Sequence, residues 1–379
     1  MILLLHNRYR TTGGEERAVE DLLWLLREHM GEQAELLARD SAVLGPARAA
    51  AGMLGGGLRP EDVGAAVRRT GARIVHAHNV NPSFGWRALA AARQAGARVV
   101  LHLHNYRLVC AVGTCFTRGA DCTRCHARNT FPGVRLHCRG PRAEAAVYGA
   151  GLALWQRRLA AQVDRFVVPS AFARDRLRAL GAPLGERAAV IPHLVREVAG
   201  SSAAADGRYA LVASRLAPEK GVEVAVEACG RAGVPLVVAG DGPERESLRV
   251  RAGGSDFSFA GVVAREQMGE LRCGAALAVV PSRSAETFGL AAAEAMAAGV
   301  PVVASRIGAL PELVPEEALA PPGDAAALAA VISRRFGDAE AGSRGLELVR
   351  ERVAPAAVAA KVRARYDELL HSVAAGPLP

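Results

Sequence analysis

The stretch Pro281-Ser282-Arg283-Ser284-Ala285-Glu286-Thr287-Phe288-Gly289-Leu290-Ala291-Ala292-Ala293-Glu294-Ala295-Met296 decides how the rest of the chain is read. The apolar run Ala276–Val280 before it has the length of a buried strand. A polar loop follows, glycine opens a helix, and carboxylates stand in the loop (Glu286) and one turn inside the helix (Glu294). Strand, loop and helix in that order are half of a βαβ unit. The backbone N–H groups of Phe288, Gly289 and Leu290 then lie at a helix N-terminus, where anions bind, and both carboxylates can accept hydrogen bonds from hydroxyl groups. A surface role for Glu294 is disfavoured, because it is the lone charge of an apolar helix and an unpaired carboxylate there is costly.

The same alternation extends in both directions. Towards the C-terminus it predicts strands near Ala210–Ala213, Leu236–Ala239, Phe257–Phe259 and Val302–Ala304, with helices near Val222–Ala232, Glu244–Arg251, Glu266–Arg272 and Leu290–Ala298. Towards the N-terminus it predicts strands near Ile2–Leu5, Glu35–Leu37, Ile74–Ala77, Val99–Leu103, Phe166–Val168 and Ala189–Pro192. Val19, Leu22, Leu23 and Leu26 make the apolar stripe of a helix over Glu16–Arg27. The chain of 379 residues is therefore read as two α/β domains with parallel sheets, residues 1–197 and 209–355. The unpatterned 198–208 is the linker, and 356–379 carries a last helix returning to the first domain or packing on the second. Two such sheets facing each other would frame an interdomain cleft, with ligands at the carboxyl ends of the strands.

Composition narrows the function. Half the residues are hydrophobic, 22% are charged and only 4% are aromatic, which fits a globular protein and argues against a base-stacking nucleic-acid binder. No apolar run approaches a membrane span, and Met1–Leu5 is too short for a signal-peptide core, so a cytoplasmic protein is expected. The formal charge is +9, yet among 47 basic residues only Lys220 and Lys361 are lysine. Lys220 and Arg215 stand in Ser214-Arg215-Leu216-Ala217-Pro218-Glu219-Lys220-Gly221, a loop between strand and helix. Two cations there suit a diphosphate whose leaving charge must be neutralised, or else form a solvated surface pair. Gly13-Gly14 before a helix and the turn Gly240-Asp241-Gly242-Pro243 suit phosphate or nucleotide contact equally with plain turns.

Taken together, Arg215, Lys220 and Gly221, the Gly240–Pro243 turn, Glu286 eight residues before Glu294, Gly299-Val300-Pro301, Gly308 and Pro311-Glu312 resemble glycosyltransferase family 4. The likeness is densest over about 210–315 and departs at Ala309, where the family often has glycine. It implies a GT-B fold and retaining transfer of a sugar from a nucleoside-diphosphate sugar to an acceptor hydroxyl, with no catalytic metal. It further implies that Arg215 and Lys220 hold the diphosphate, Glu294 the ribose, Glu286 with Phe288, Gly289 and Leu290 the transferred sugar, and Gly14, beside Gly13, the phosphate. Gly240 falls in the nucleotide turn. In His102-Leu103-His104, His104 best matches the family's active-site histidine, while His102 is read on the opposite strand face.

Residues 105–141 form an irregular insertion. Cys110-x11-Cys122-x2-Cys125-x12-Cys138 is the spacing of a structural zinc site, and similar cysteines occur in a branch of the family. Cys115 lies outside that set, His126 and His137 are alternative ligands, and free thiols or a redox pair are the competing readings. Arg107, Arg118, Arg124, Arg128, Arg135, Arg139 and Arg142 face Asp121 alone, which suits an anionic acceptor, peripheral contact with the inner membrane face, or solvated charge. Two other functions remain open: a nucleotide-sugar hydrolase or 2-epimerase of the same fold, and a zinc-bearing nucleic-acid or membrane binder on a degenerate transferase scaffold.

Overall fold

Runs of Leu, Ile, Val and Ala become strands where both sheet faces can be covered, and the chain has enough of them for two sheets. In the computed structural model, which describes residues 1–9, 13–197, 201–253 and 256–371, two six-stranded parallel sheets form, one in each of two units.

In the first unit the strands are β1 (Ile2–Arg8), β2 (Ala34–Asp40), β3 (Ile74–Ala77) and β4 (Arg98–His102). A two-stranded hairpin, β5 (Phe116–Thr117) and β6 (Ala120–Asp121), interrupts the series before β7 (Arg165–Val168) and β8 (Ala188–Val190). The sheet order is β2-β1-β3-β4-β7-β8, so the winding reverses between β1 and β3. Leu3, Leu4 and Leu5 of β1 are fully buried, as a central parallel strand requires.

The second unit holds β9 (Tyr209–Ala213), β10 (Leu236–Ala239), β11 (Phe257–Gly261), β12 (Ala275–Val280), β13 (Val302–Ser305) and β14 (Leu319–Ala320). Its order, β11-β10-β9-β12-β13-β14, is that of a dinucleotide-binding sheet, reversing between β9 and β12. The hairpin Phe116–Asp121 groups with this unit, where Arg283 donates to the Gly119 carbonyl at 2.7 Å.

Two segments differ from a simple bead-and-linker picture. Residues 201–208 are packed on the second unit: Ser202 bonds the Gly299 carbonyl and Ala204 is buried. Val198–Gly200 lie outside the described residues. The last helix, Pro355–His371, leaves the second unit and from Val358 onward belongs to the first, burying Val358, Val362, Tyr366 and Leu369 against Ile2, Leu4, Ile74 and Val100. Its i, i+4, i+8, i+11 spacing supplies that apolar stripe.

Candidate functional site

In the second unit the two loops that sequence analysis singles out follow β9 and β12, the two strands between which the sheet reverses. In open α/β sheets such a switch point leaves a crevice beyond the strand ends. The Arg283 and Ser284 N–H groups donate to the Glu219 carbonyl at 3.0 and 3.2 Å, clasping the loops together. Across the clasp Lys220 Nζ donates to Glu286 Oε1 at 2.7 Å, and Ser282 Oγ donates to the same oxygen at 2.6 Å. Burial opposes ionisation of Glu286, yet the adjacent Lys220 ammonium and the Ser282 hydroxyl hold its carboxyl below the ordinary range. Arg215, on the rim, pairs with Glu219 at 2.6 Å.

Gly289 takes a left-handed conformation at φ 94° and caps the helix Leu290–Ala297, with Phe288 buried before it. Within that helix Glu294 is ion-paired with Arg272, both side chains nearly buried. The expected lone carboxylate thus has a partner, contributed by the helix Arg265–Cys273. Gly240 has a packing reason of its own: a Cβ there would sit 1.9 Å from the Ser214 carbonyl oxygen. The turn therefore supports the Ser214–Lys220 loop by close backbone approach. Gly308 does the same for Glu286, since its Cβ would lie 2.3 Å from the Glu286 nitrogen.

In the first unit, Gly13 caps the helix Gly14–Trp24, and its N–H donates to Glu16 Oε2 at 2.9 Å. That donor is engaged by the protein itself; Thr11 and Thr12 before it lie outside the described residues. Beside it runs a network that sequence analysis missed. Tyr9 Oη donates to Glu15 Oε2 at 2.7 Å, Asn105 Nδ2 donates to the same carboxylate at 3.1 Å, and Arg107 Nη1 donates to Tyr9 Oη at 2.8 Å. Burial raises the Glu15 carboxyl above its usual range despite Arg107. The available signal was position: Tyr9 and Glu15 follow β1, Asn105 and Arg107 follow β4.

His104 follows β4 and meets His78 beyond β3, with His78 Nδ1 and His104 Nε2 2.7 Å apart. His102 is not on the opposite face: its ring lies 4.1 Å from that of His104, because residues two apart share one side of a strand. His6, His76 and His193 complete the cluster, with ring centroids 6.3 Å for His6 to His78, 4.9 Å for His76 to His78 and 5.0 Å for His104 to His193. Burial pushes His76 down to about 3 and His193 to about 4, and lowers His78, His102 and His104 well below 6.5. Potential ligand atoms of His76, His78 and His102, and of His102, His104 and His193, lie within 4.8 Å of one another. Burial disfavours the charged imidazolium, so the rings of both groups pack together as neutral imidazoles. A cavity wholly within this unit has Glu15, His78, Trp86, His104, Arg107 and Trp155 among its lining residues.

The four candidate zinc cysteines do not gather into a comparable set among the described residues. Cys110 is buried, held down to about 6 by the Cys115 thiol hydrogen bond, and Cys125 donates to the Thr130 carbonyl at 3.9 Å. Cys122 and Cys138 are half-buried. Of the seven arginines in the insertion, Arg107 is tied to Tyr9, Arg128 Nε donates to the Ala153 carbonyl at 2.7 Å, and Arg139 lies 3.4 Å over the Tyr148 ring. Arg118, Arg124, Arg135 and Arg142 are exposed. No helix among the described residues is long and apolar enough to cross a membrane.

Two family models match: "Glycosyl transferase 4-like domain" over residues 13–193 and "Glycosyl transferases group 1" over residues 207–338. The chain belongs to glycosyltransferase family 4, and its two Rossmann-like units are those of the GT-B fold. Among curated relatives, a GDP-mannose-dependent alpha-mannosyltransferase of Mycolicibacterium smegmatis is 34% identical over 191 residues, 45% of this chain and 48% of the relative. An exopolysaccharide phosphotransferase of Streptomyces coelicolor is 34% identical over 163 residues, 40% of this chain and 17% of the relative. The chain spans less than half the length of each. A sucrose-phosphate synthase from Thermosynechococcus elongatus has the same fold, with TM-score 0.73 at 20% identity over 98% of this chain and all of that one. Anabaena HepE, solved in complex with UDP, superposes with TM-score 0.64 at 17% identity over 97% of this chain and 100% of its own.

Proposed function

We propose that this protein is a retaining glycosyltransferase that moves a sugar from a nucleoside-diphosphate sugar to an acceptor hydroxyl. The carrying observation is the Lys220–Glu286 pair beside Arg215 at the β9/β12 switch point. Relatives named for GDP-mannose and a neighbour solved with UDP support a nucleotide-sugar donor. In this reading Arg215 and Lys220 bind the diphosphate and neutralise charge as it leaves the sugar, the dominant catalytic contribution. The N–H groups of Phe288, Gly289 and Leu290 bind phosphate or the transferred sugar, Glu286 takes sugar hydroxyls, and Glu294, steadied by Arg272, takes the ribose. Gly14 contributes to phosphate binding and His104 to the acceptor side. A diphosphate oxygen accepts the acceptor's proton, so no protein nucleophile and no catalytic metal enter the reaction.

The exposed Arg118, Arg124, Arg135 and Arg142 make an anionic acceptor, or an acceptor presented at a membrane surface, the fitting class. The chain works in the cytoplasm in this proposal. A structural zinc ion at Cys110, Cys122, Cys125 and Cys138 rests on spacing alone; about one zinc per chain in protein purified without added metal supports it, and its absence with all thiols reactive ends it.

A thermal-shift panel of UDP-, GDP-, ADP- and dTDP-sugars tests the donor reading, because a ligand bound only by the folded state raises Tm by mass action. A response to one nucleotide series is expected, and no response to any overturns the proposal. Turnover of donor without any acceptor would replace it with a hydrolase or epimerase.

A further inference from the structure

The cavity of the first unit is a built space. It opens to solvent and encloses about 670 Å³ including its mouth, the size of a small-molecule site. Its lining comes from the helices Pro46–Gly55, Gly85–Gln94 and Arg142–Ala161 and from the chain beyond β3 and β4. Those helices meet their neighbours at glycines, backbone against backbone. A Cβ on Gly52 would lie 2.5 Å from the Pro82 carbonyl oxygen, one on Gly85 2.1 Å from that of Gly56, and one on Gly151 2.8 Å from that of Met53. Contacts of that kind leave no slack, so the walls are held at a fixed spacing.

Two groups of side chains matter among the lining. The apolar group is Met53, Val80, Trp86, Leu152 and Trp155. Two of the chain's three tryptophans are thus placed here, in a sequence with only 4% aromatics. Their ring centroids are 5.8 Å apart, and Trp155 Nε1 donates to the Met53 and Leu54 carbonyls at 3.1 Å. The Arg158 guanidinium lies 5.2 Å from the Trp155 ring and 5.6 Å from that of Trp86. Trp155 is therefore pinned, with Trp86 packed beside it.

The polar group is Glu15, Asn105 and Arg107. Both hydrogen bonds of the Glu15 carboxylate, from Tyr9 Oη and Asn105 Nδ2, go to Oε2. Among the described residues nothing bonds Oε1, and that oxygen keeps contact with solvent. Burial raises this carboxyl above its usual range. A hydroxyl both donates and accepts, so it suits Glu15 in either protonation state.

We propose that this cavity binds an amphiphilic alcohol, with its hydroxyl at Glu15 Oε1 and its apolar group among Met53, Trp86, Leu152 and Trp155. That the alcohol is the sugar acceptor rests on the transferase reading above, whereas occupancy of the cavity does not. The acceptor is then a molecule with an apolar portion next to the hydroxyl that receives the sugar.

Tryptophan fluorescence of the full chain carrying Trp24→Phe, in which both remaining indoles line the cavity, reads the binding of n-alkanols from butanol to octanol. A saturable change is expected, with Kd falling about fourfold per added methylene until the cavity is full. Leu152→Phe and Val80→Phe, each placing a ring in the cavity, are expected to weaken octanol at least about tenfold. Glu15→Ala, which removes the partner of the hydroxyl, should weaken it about threefold to tenfold. The proposal is overturned by the lack of a saturable change, by affinity independent of chain length, or by unchanged octanol affinity in the folded filled variants. Unchanged affinity in Glu15→Ala overturns the placement of the hydroxyl. Where a filled variant does not fold, the chain-length series decides alone. Octanol binding with no response to any nucleotide sugar removes the transferase reading and keeps the cavity's ligand; a nucleotide-sugar response without alkanol binding does the reverse.

Discussion

Lys220 Nζ and Glu286 Oε1 lie 2.7 Å apart, joining the loop after β9 to the loop after β12. One of only two lysines in the chain is thus spent on the carboxylate of the stretch that decides the fold. The pair ties the two loops of the switch point together and sets a cation at their junction.

Lys220→Ala is expected to lower turnover by about a hundredfold or more, as removal of an electrostatic stabiliser of the transition state does. Steady-state kinetics with the donor found by the thermal-shift panel measure it, with circular dichroism confirming the fold. Lys220→Arg should not rescue fully, since a planar guanidinium does not reproduce a compact ammonium. Activity near wild type in Lys220→Ala would remove Lys220 from the mechanism.

Stability should fall as the medium is acidified below about pH 6.5. His76, His78, His102, His104 and His193 are lowered by burial, so between 6.5 and about 4 the unfolded chain binds protons that the native state refuses. Unfolding free energy therefore rises with pH across that window, by up to about 1.4 kcal/mol per pH unit for each fully neutral histidine. Urea midpoints at pH 7.5, 6.5 and 5.5 read the slope. A flat profile would mean that these imidazoles are solvated.

Arg272→Ala leaves the Glu294 carboxylate without its partner in a nearly buried place. Breaking such a pair from one side costs about 3 kcal/mol, whereas removing both partners costs less than the sum of the single changes. Urea unfolding of Arg272→Ala, Glu294→Ala and the double variant measures that coupling. Additive losses would show that the two side chains do not support each other.

Gly308→Ala is expected to lower turnover together with stability, because the new Cβ would sit 2.3 Å from the Glu286 nitrogen and must push that residue away. Gly323 is the control: its φ of 82° matches the left-handed 64° of Gly308, but a Cβ there meets nothing within 4 Å. Both alanines pay the backbone strain, and only Gly308→Ala adds a clash. Equal turnover in the two variants would show that Glu286 does not depend on Gly308.

Much of the second unit was legible in one dimension. The strand–loop–helix order around Glu286 and the placement of Arg215 and Lys220 after a strand are local features, written in hydrophobic runs and glycine positions. The contacts that give these residues their setting are long-range. Arg272 lies 22 residues before Glu294 and reads as an ordinary charge on an amphipathic helix. Tyr9 and Arg107 are 98 residues apart and meet because β1 and β4 flank β3. His102 shares the face of His104, as period two requires, and the repeated His-x-His of His76-Ala77-His78 and His102-Leu103-His104 carries that signal.

By itself the sequence determined two α/β units, the loops that carry cations and carboxylates, and the likeness to glycosyltransferase family 4, because each of these is a matter of periodicity or of neighbours along the chain. Only the tertiary structure decided that the sheet of the second unit reverses between the Lys220 and Glu286 loops, that the last helix folds back onto the first unit, and that His78 meets His104. Strand order and side-chain partnership depend on which apolar faces cover one another and on which buried polar atoms must find a mate. Those are properties of the packed chain, and no local pattern encodes them.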